Sequence, residues 1–385
     1  MIKPPLSKIL DINKKEIIIL KRILSCLLCF VFIGSTVISC SKDPADTSAS
    51  YTTASETAAS TDTSPSVTED TSAESSASES SEEAKWFTFN PKVSSSFMLD
   101  IYGKDKCDAW SSLVDAVMEG KDTFECVDKH TYIWTIKDFP DRYFPVLNEI
   151  IKTPDDYLDL EIKGTAPIEY KVSKDKAAQM IAEFTKLVED IINETIKPEY
   201  NDFEKALALY NYFASTYVYD YDTATLVESE PSKVNYTSSY RLLTTKTGIC
   251  CELSKAYSYL LMQVGVEATT VIGGNHEWSF IKLGDNYYHI DPTWVIDDWY
   301  SLKYFLMTDK QRQDQGRYKK KDYEYVGEYS PEKAPDYSAK DDSFSSMWEC
   351  HVSSFDPDTK TLVYTKFDAD GNEVSGTFDY SAYCN

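Results

Sequence analysis

Cys250, His276 and Asp291 supply a thiol, an imidazole and a carboxylate in chain order. These groups can form a catalytic triad in which the thiol attacks a carbonyl carbon. The imidazole takes the thiol proton or pairs with the thiolate, and the carboxylate orients the imidazole. The sequence therefore predicts covalent acyl transfer at Cys250, provided that the fold brings the three side chains together.

The residues after Cys250 have the spacing of an amphipathic helix. Apolar side chains recur at intervals of three and four residues, at Leu253, Ala256, Tyr257, Leu260, Leu261 and Val264. Cys250 would then lie in the first turn, where unpaired backbone N–H groups and the positive end of the helix dipole stabilise a thiolate. The same N–H groups can receive the oxyanion of a tetrahedral intermediate.

Three strands are predicted after Gly265, at residues 267–272, 276–283 and 286–294. Gly284-Asp285 suits a two-residue hairpin turn between the second and the third strand. The predicted hairpin therefore carries the imidazole on one strand and the carboxylate on the next.

The turn determines which residues face each other across this hairpin. If Leu283 pairs with Asn286, His276 and Asp291 become diagonal neighbours on one face of the sheet. A carboxylate at that spacing can reach the imidazole. The register therefore predicts that Asp291 orients His276, with His289 on the same strand face as Asp291 as an alternative base.

Aromatic residues near the predicted triad could support it. Trp278 and Trp294 could shield the thiol and the imidazole from water, and Trp278, two residues after His276, favours that histidine over His289 as the base. Tyr240 precedes the nucleophile and could add a hydrogen-bond donor to the oxyanion site. A position in the core is an equally good interpretation of Tyr240.

The remaining thiol and imidazole groups suggest no second site. If helical, Cys251 points about a hundred degrees away from Cys250, which favours a buried structural thiol over a second nucleophile. His130 and His351 are isolated. No His, Cys and Asp cluster has the spacing of a zinc site, so neither a metal nor a cofactor is predicted.

Three short motifs resemble the core of the transglutaminase-like superfamily, namely Gly248-Ile249-Cys250, His276-Glu277-Trp278 and Asp291-Pro292-Thr293-Trp294. The similarity extends over about residues 202–308. It implies an α+β, papain-like fold, in which the helix bearing the nucleophile packs on an antiparallel sheet, and thiol-mediated acyl transfer from an amide. Glu252 departs from the family pattern, because many relatives have glycine two residues after the nucleophile.

The region before this domain, residues 86–172, is predicted to be an α+β accessory region without chemistry of its own. Apolar residues at helical spacing indicate a helix over 104–119. Near the end of the region, two segments in which apolar and polar residues alternate predict a hairpin folded around Gly164 and Pro167.

The predicted catalytic domain covers residues 173–310 and begins with two helices. Ser173 caps the first helix, and the second starts at residues 201–202. Residues 311–385 are predicted to be a charged linker followed by a small C-terminal β region, with a hairpin that turns at residues 370–372.

Residues 1–39 have the features of an export signal. Basic residues precede an apolar run at 23–39. The run ends in Val37-Ile38-Ser39-Cys40, which resembles the lipobox of bacterial lipoproteins. This resemblance implies that residues 1–39 are removed and that Cys40 carries the lipid. A plain transmembrane anchor is the alternative.

Residues 40–85 consist mostly of Ser, Thr, Ala, Asp and Glu. Such a segment buries too little apolar surface to offset its chain entropy, so we expect a disordered, extended tether. The folded head would then lie at the cell surface or on the periplasmic side of the cytoplasmic membrane, held there by the lipid on Cys40.

The formal net charge of -24 argues against nucleic acid as a partner and against anionic lipid as a partner of the head. In an exported protein, disulfides between Cys107 and Cys126 and between Cys350 and Cys384 are plausible, although the sequence does not fix their connectivity.

The leading functional hypothesis is an extracytoplasmic, lipid-anchored cysteine hydrolase that cleaves peptide or other amide bonds. One alternative is a transglutaminase that transfers the acyl group to an amine. The other is a surface lipoprotein that binds peptide or glycan without catalysis, against which the complete set of thiol, imidazole and carboxylate argues. The sequence indicates neither the substrate side chains nor an oligomeric state.

Overall fold

The structure is a computed structural model that describes residues 85–153, 160–234, 236–296, 298, 300–315, 323–325 and 337–384, with only the backbone described at 323–325. The described part of the chain belongs to one compact unit. The predicted signal, Cys40, the predicted tether up to residue 84 and much of the predicted charged linker lie outside the described residues.

The N-terminal region combines short helices with a two-stranded sheet. Its elements are α1 (Ser96–Tyr102), α2 (Lys104–Met118), β1 (Thr123–Cys126), α3 (Lys129–Lys137), α4 (Phe139–Tyr143), α5 (Leu147–Ile150) and β2 (Gly164–Pro167). The helix predicted over 104–119 is confirmed as α2. It buries Trp110, Leu113 and Val114, and the chain leaves it through Gly120 at a φ of 66°.

The hairpin predicted around Gly164 and Pro167 is wrong. Both residues lie within β2, which pairs antiparallel with β1 so that Gly164 faces Cys126 and Pro167 faces Thr123. Alternation along a sequence indicates a strand but does not identify its partner. In this case the partner is an earlier strand and not the adjacent segment.

Two long helices follow, and both begin where the sequence predicts. They are α6 (Lys174–Thr195) and α7 (Asp202–Thr216). The Ser173 hydroxyl accepts from the backbone N–H of Lys176, and Asn201 and Glu204 form a capping box at the start of α7. These side chains satisfy N–H groups that the first helical turn leaves unpaired.

The segment that carries the nucleophile contains β3 (Val218–Tyr219), α8 (Tyr221–Ser229), α9 (Ser239–Thr245), β4 (Thr247–Gly248) and α10 (Cys250–Gln263). β3 and β4 pair in parallel and place Tyr219 opposite Gly248. No residue of α8 is buried, whereas α10 is buried along most of its length. Helix α10 therefore provides a rigid base for its first residue, Cys250.

Helix α10 packs on an antiparallel sheet formed by β5 (Ala268–Gly273), β6 (His276–Leu283), β7 (Asn286–Ile290) and β8 (Tyr323–Tyr325), in the order β7-β6-β5-β8. Two hydroxyls join the layers: Ser258 donates to the carbonyl of Thr269 at 3.0 Å, and Ser279 donates to the carbonyl of Ser254 at 2.9 Å. The predicted α+β fold, with the helix on an antiparallel sheet, is confirmed.

The remaining elements are α11 (Asp309–Asp314), β9 (His351–Asp356), β10 (Thr361–Phe367) and β11 (Glu373–Asp379). The three strands form an antiparallel sheet in the order β11-β10-β9, and Phe367 faces Glu373 across the predicted terminal hairpin. This sheet is fastened to α7 because the buried Glu204 accepts from Lys360 at 3.0 Å and from the hydroxyl of Tyr380 at 2.7 Å.

A shared hydrophobic core runs from Phe87 to Tyr383, so the N-terminal and C-terminal regions pack against the predicted catalytic domain. Burial of each large apolar side chain in such a core contributes roughly 1.5–3 kcal/mol to stability. Within the described residues, no helix combines the length and apolarity needed to span a bilayer.

Partly buried polar contacts also join α4 to the nucleophile helix and to the sheet. Lys255 of α10 donates to Asp141 at 2.8 Å, and the Arg142 guanidinium lies 3.3 Å from Glu277 of β6. Asp141 also accepts from the backbone N–H of Ser239 at 2.7 Å. The region predicted to be accessory therefore holds two elements that carry triad residues.

Candidate active site

Cys250 is the first residue of α10, as predicted, and its side chain is half-buried. The extended backbone of Ile249 precedes it, and β4 before that is held by its parallel pairing with β3. The thiol therefore lies where a strand passes directly into a helix. The N–H groups of the first helical turn point out of the start of the helix, which is the end at which Cys250 lies.

His276 and Asp291 are in contact, with His276 Nε2 2.7 Å from Asp291 Oδ2. The hairpin has the predicted register, since Leu283 pairs with Asn286. The third strand is shorter than predicted, because β7 ends at Ile290. Asp291 is followed by Pro292, which has no N–H to continue the ladder, so the chain turns away immediately after the carboxylate.

The environment of His276 favours the imidazolium. Its burial alone would lower its pKa, but the charge of Asp291, their hydrogen bond and a hydrogen bond with Cys250 together raise the pKa to about 9. Because Nε2 contacts Asp291, Nδ1 is the nitrogen left to face the thiol. At neutral pH the imidazole therefore carries two protons, one on each ring nitrogen.

Asp291 is fully buried and is held by further donors. Its Oδ1 accepts from the backbone N–H of Thr293 at 3.1 Å, and its Oδ2 accepts from the Arg312 guanidinium at 2.8 Å. Burial raises the pKa of Asp291, but the positive charges of His276 and Arg312 outweigh it and lower the pKa. The carboxylate is therefore ionised when it orients His276.

Arg312 is a site residue that the sequence did not predict. It belongs to α11 and is fully buried, although its segment was predicted to be a charged linker. The guanidinium also lies over the ring of Trp278, 4.2 Å from the ring centre. A backbone bridge between His289 and Met307 brings the chain alongside β7 just before α11, which puts Arg312 within reach of Asp291.

His289, the alternative base, is occupied elsewhere. Its Nδ1 accepts from the indole N–H of Trp278 at 2.9 Å, so its Nε2 carries the proton and donates to Asp309 at 3.0 Å. With both ring nitrogens so engaged and its side chain fully buried, His289 supports Trp278 instead of facing the thiol.

The two predicted shielding tryptophans both border the imidazole. Trp278 is fully buried, and its ring stacks near that of His276 with the centroids 6.0 Å apart. Trp294 is half-buried, and its indole Nε1 lies 3.1 Å from His276 Nε2. Both rings therefore limit the access of water to the contact between His276 and Asp291.

Tyr240 does not face the thiol. Its ring packs against Phe184 with the centroids 5.8 Å apart, and burial followed by the charges of Glu149 and Glu183 raises its pKa. The tyrosine near the thiol is Tyr219. The pairing of β3 with β4 puts Tyr219 opposite Gly248, two residues before Cys250, and burial and then the charges of Cys250 and Cys251 raise the pKa of Tyr219. Local spacing could not have identified Tyr219, because a long-range strand pairing places it there.

The other described cysteines are free thiols, so neither predicted disulfide is present among them. The Cys126 thiol contacts the carbonyl of Asp128 and the Cys384 thiol contacts that of Tyr380. Burial raises the pKa of both Cys107 and Cys126 to about 11 and raises the pKa of Cys251 further. These thiols are therefore protonated at neutral pH.

The site contains the groups for acyl transfer, and no group of three or more potential ligand side chains among the described residues is arranged to hold a metal ion. Residues 189–300 match the family model of the transglutaminase-like superfamily, whose members are generally enzymes. No curated protein matches the chain. Residues 189–300, which contain the three motifs, thus form a domain of the transglutaminase-like superfamily, and the predicted resemblance is confirmed for that part of the chain.

Proposed function

We propose that the protein is an extracytoplasmic, lipid-anchored cysteine hydrolase that cleaves peptide or other amide bonds. The observation that carries this proposal is the position of His276, which contacts Asp291 at 2.7 Å and forms a hydrogen bond with Cys250. This arrangement supplies a nucleophile, an acid–base group and an orienting carboxylate in one connected set.

In the proposed mechanism, the Cys250 thiolate attacks the amide carbonyl carbon. The tetrahedral oxyanion is stabilised by N–H groups at the start of α10. The His276 imidazolium gives its proton to the leaving amine as the C–N bond breaks, which leaves a thioester on Cys250 and a neutral imidazole. That imidazole then takes a proton from water, which attacks the thioester and releases the acid.

Selective labelling of Cys250 is the first expected result. A small thiol-directed electrophile should modify Cys250 near neutral pH before the other described cysteines, because the His276 imidazolium favours its thiolate while burial keeps Cys107 and Cys126 protonated, with a pKa of about 11. Peptide mapping by mass spectrometry after brief labelling identifies the modified residue.

Two variants serve as controls for this labelling. Cys250→Ala should remove the fast site, and His276→Ala should slow the labelling of Cys250 at neutral pH. Equal labelling of Cys250 in the wild type and in His276→Ala would contradict the proposed pairing of the thiolate with the imidazolium.

The pH dependence of turnover is the second expected result. Since the folded-state pKa of His276 is raised to about 9, the imidazolium that protonates the leaving amine is present below that pH and is lost above it. We expect kcat/KM for an amide to fall on the alkaline side with a midpoint near pH 9, while labelling of Cys250 by the small electrophile does not fall. Amide turnover that keeps rising above this midpoint would rule out His276 as the acid.

The fate of the thioester separates hydrolysis from transfer. Mass spectrometry of the products from a peptide library, with and without an added primary amine, measures whether water or the amine accepts the acyl group. Acid products in the presence of excess amine support the hydrolase, whereas amide products would make the protein a transglutaminase.

The lipid anchor is also part of the proposal and is supported by the segment that ends at Cys40. The mass of the N-terminal peptide from the cell-purified protein tests it. We expect a chain that begins at a diacylated Cys40. An intact, unacylated N-terminus would overturn the anchor and leave the proposed chemistry unaffected.

A further inference from the structure

Glu252, where many superfamily members have glycine, turns inward beneath the nucleophile. It is 1% exposed, its Oε2 accepts from the backbone N–H of Ile249 at 2.9 Å, and its Oε1 accepts from that of Ser238 at 2.7 Å. A Cβ on Gly248 would lie 3.0 Å from Glu252 Oε2 and 2.8 Å from a methyl group of Leu242. The glycine before the nucleophile therefore leaves space for the glutamate that replaces the second glycine.

Arg241 links Glu252 to Asp220, which lies between β3 and α8. Its Nε donates to Glu252 Oε1 at 2.8 Å, and one terminal nitrogen donates to Glu252 Oε2. The other terminal nitrogen donates to Asp220 Oδ2 at 2.9 Å. One planar guanidinium thus joins the nucleophile helix to the segment between β3 and α8, a geometry that a lysine ammonium cannot reproduce.

Asp220 in turn fixes two elements beside the thiol. Its Oδ1 accepts from the N–H of Thr223 and caps α8, and its backbone N–H donates to the carbonyl of Gly248 at 2.9 Å. Tyr219 directly precedes it and lies near Cys250. Since no residue of α8 is buried, this helix depends strongly on polar contacts of this kind for its position.

The far end of α8 contacts the residue just before the strand that carries the base. Asn275, which precedes His276, donates to Glu228 at 3.0 Å. Helix α8 therefore extends from the nucleophile side of the site to the histidine side. If the function proposed above holds, a substrate acyl group bound at the Cys250 sulfur would lie against Tyr219 and α8.

We propose that Glu252 and Arg241 are positioning residues, which hold Tyr219 and α8 as the substrate-side wall of the Cys250 site by linking them to the nucleophile helix through Asp220. Arg241 acts on the wall and not on the thiol itself, because the contacts of His276 with Asp291 and with Cys250 do not pass through it, and Glu252 reaches the wall through Arg241. Their loss should therefore impair substrate turnover more than thiol reactivity.

The chain offers a matched control at the start of α7. Glu204 is also the third residue of its helix, is also fully buried, and accepts from the backbone N–H of Asn201 at 2.8 Å and from Lys360 at 3.0 Å. Glu204 fastens the C-terminal sheet instead of the wall. Glu204→Gln thus shows how alkylation, kcat/KM and hydrogen exchange respond when a buried, ion-paired glutamate at a helix start is altered but α8 is not.

The test compares Arg241→Lys, Arg241→Met and Glu252→Gln with Glu204→Gln in the otherwise unaltered protein. Three quantities are measured: alkylation of Cys250 by iodoacetamide, kcat/KM for an amide substrate, and amide hydrogen exchange of residues 219–229. We expect the Arg241 and Glu252 variants to lower kcat/KM by about 10- to 100-fold, the range that a small misplacement can cause. Alkylation should stay near the wild-type rate, and Arg241→Lys should be milder than Arg241→Met.

Hydrogen exchange gives a readout that does not need activity. Exchange over residues 219–229 should accelerate in the Arg241 and Glu252 variants and remain unchanged in Glu204→Gln. Unchanged exchange in the Arg241 variants would overturn the inference. Faster exchange with unaltered kcat/KM would overturn it as well. Equal losses of alkylation and turnover would also overturn it, because they would show that the network acts on the triad. If the wild type turns over no amide, the proposed function fails, and the exchange result alone decides whether Arg241 holds α8.

Discussion

Replacing Cys250 with alanine should abolish amide turnover and thioester formation, with kcat falling by about 10⁵- to 10⁶-fold, as expected when the nucleophile of a triad is removed. The large effect follows from the connection among the three groups. Without the sulfur, the imidazolium of His276 and the carboxylate of Asp291 have no nucleophile to assist. The measurement is single-turnover acylation followed by intact-protein mass spectrometry, alongside steady-state kinetics.

The adjacent thiol provides a matched control for this prediction. Cys251 follows Cys250 on α10, but burial raises its pKa, and the charge of Lys255 does not reverse this effect. Cys251→Ala should therefore retain acylation and kcat. An acyl group found on Cys251 in wild-type protein, or turnover that persists in Cys250→Ala, would assign the chemistry to the other thiol.

The geometry of the candidate site was largely predictable because the position of Cys250 and the contact of His276 with Asp291 both depend on local patterns. A helix start after Gly248 gives the position of Cys250, and a two-residue turn fixes the register that brings His276 to Asp291. Both patterns are set by residues within a few positions of each other. The α+β class followed from the resemblance of the three motifs to the transglutaminase-like superfamily, while helical and strand periodicity located individual elements such as α2 and α6.

The missed features depend on contacts between distant segments. Arg312 lies 21 residues after its partner Asp291, and a charged residue in a charged segment gives no local sign of burial. Tyr219 reaches the site through a parallel strand pair, and β2 pairs with β1 instead of the neighbouring segment. Periodicity identifies an element and its buried face, but tertiary packing selects its partner.

The departure at Glu252 shows why a motif alone is incomplete. Along the chain, Glu252 is only a charged residue where many relatives have glycine. In the fold its carboxylate turns away from solvent and pairs with Arg241, so it fills space beneath the helix start. The family glycine is thus replaced by a buried contact whose partner, Arg241, precedes it by 11 residues and belongs to another helix.

Replacing Arg312 with methionine should have the second largest effect, because it leaves the buried Asp291 without its guanidinium. Both side chains are fully buried, and removal of one partner of a buried ion pair costs about 3–5 kcal/mol of unfolding free energy. The contact of the guanidinium with the ring of Trp278 is lost as well. Urea unfolding near neutral pH measures the loss of stability, and kcat/KM for an amide measures the loss of alignment at His276.

The same helix supplies the control, since Lys310 is exposed and pairs with Asp314 at the surface. Lys310→Met should change neither stability nor turnover appreciably. Arg312→Lys should lie between Lys310→Met and Arg312→Met in both stability and turnover, because it keeps a charge but loses the planar contact with Trp278. Wild-type stability in Arg312→Met would show that Asp291 does not depend on this partner.

The pH dependence of stability distinguishes loss of the ion pair from loss of packing at Arg312. The folded-state pKa of Asp291 lies below its ordinary value, with His276 and then Arg312 as the charges that lower it against burial. The stability contributed by Asp291 is therefore present above its unfolded pKa of 3.8 and is lost as the pH falls through the lower folded value. Without Arg312 the folded pKa rises toward the unfolded value, so the loss of stability below pH 3.8 should be smaller than in the wild type, and the stability difference between the two proteins should shrink as the pH falls. A change in stability that is the same at every pH would instead assign the effect of Arg312 to packing.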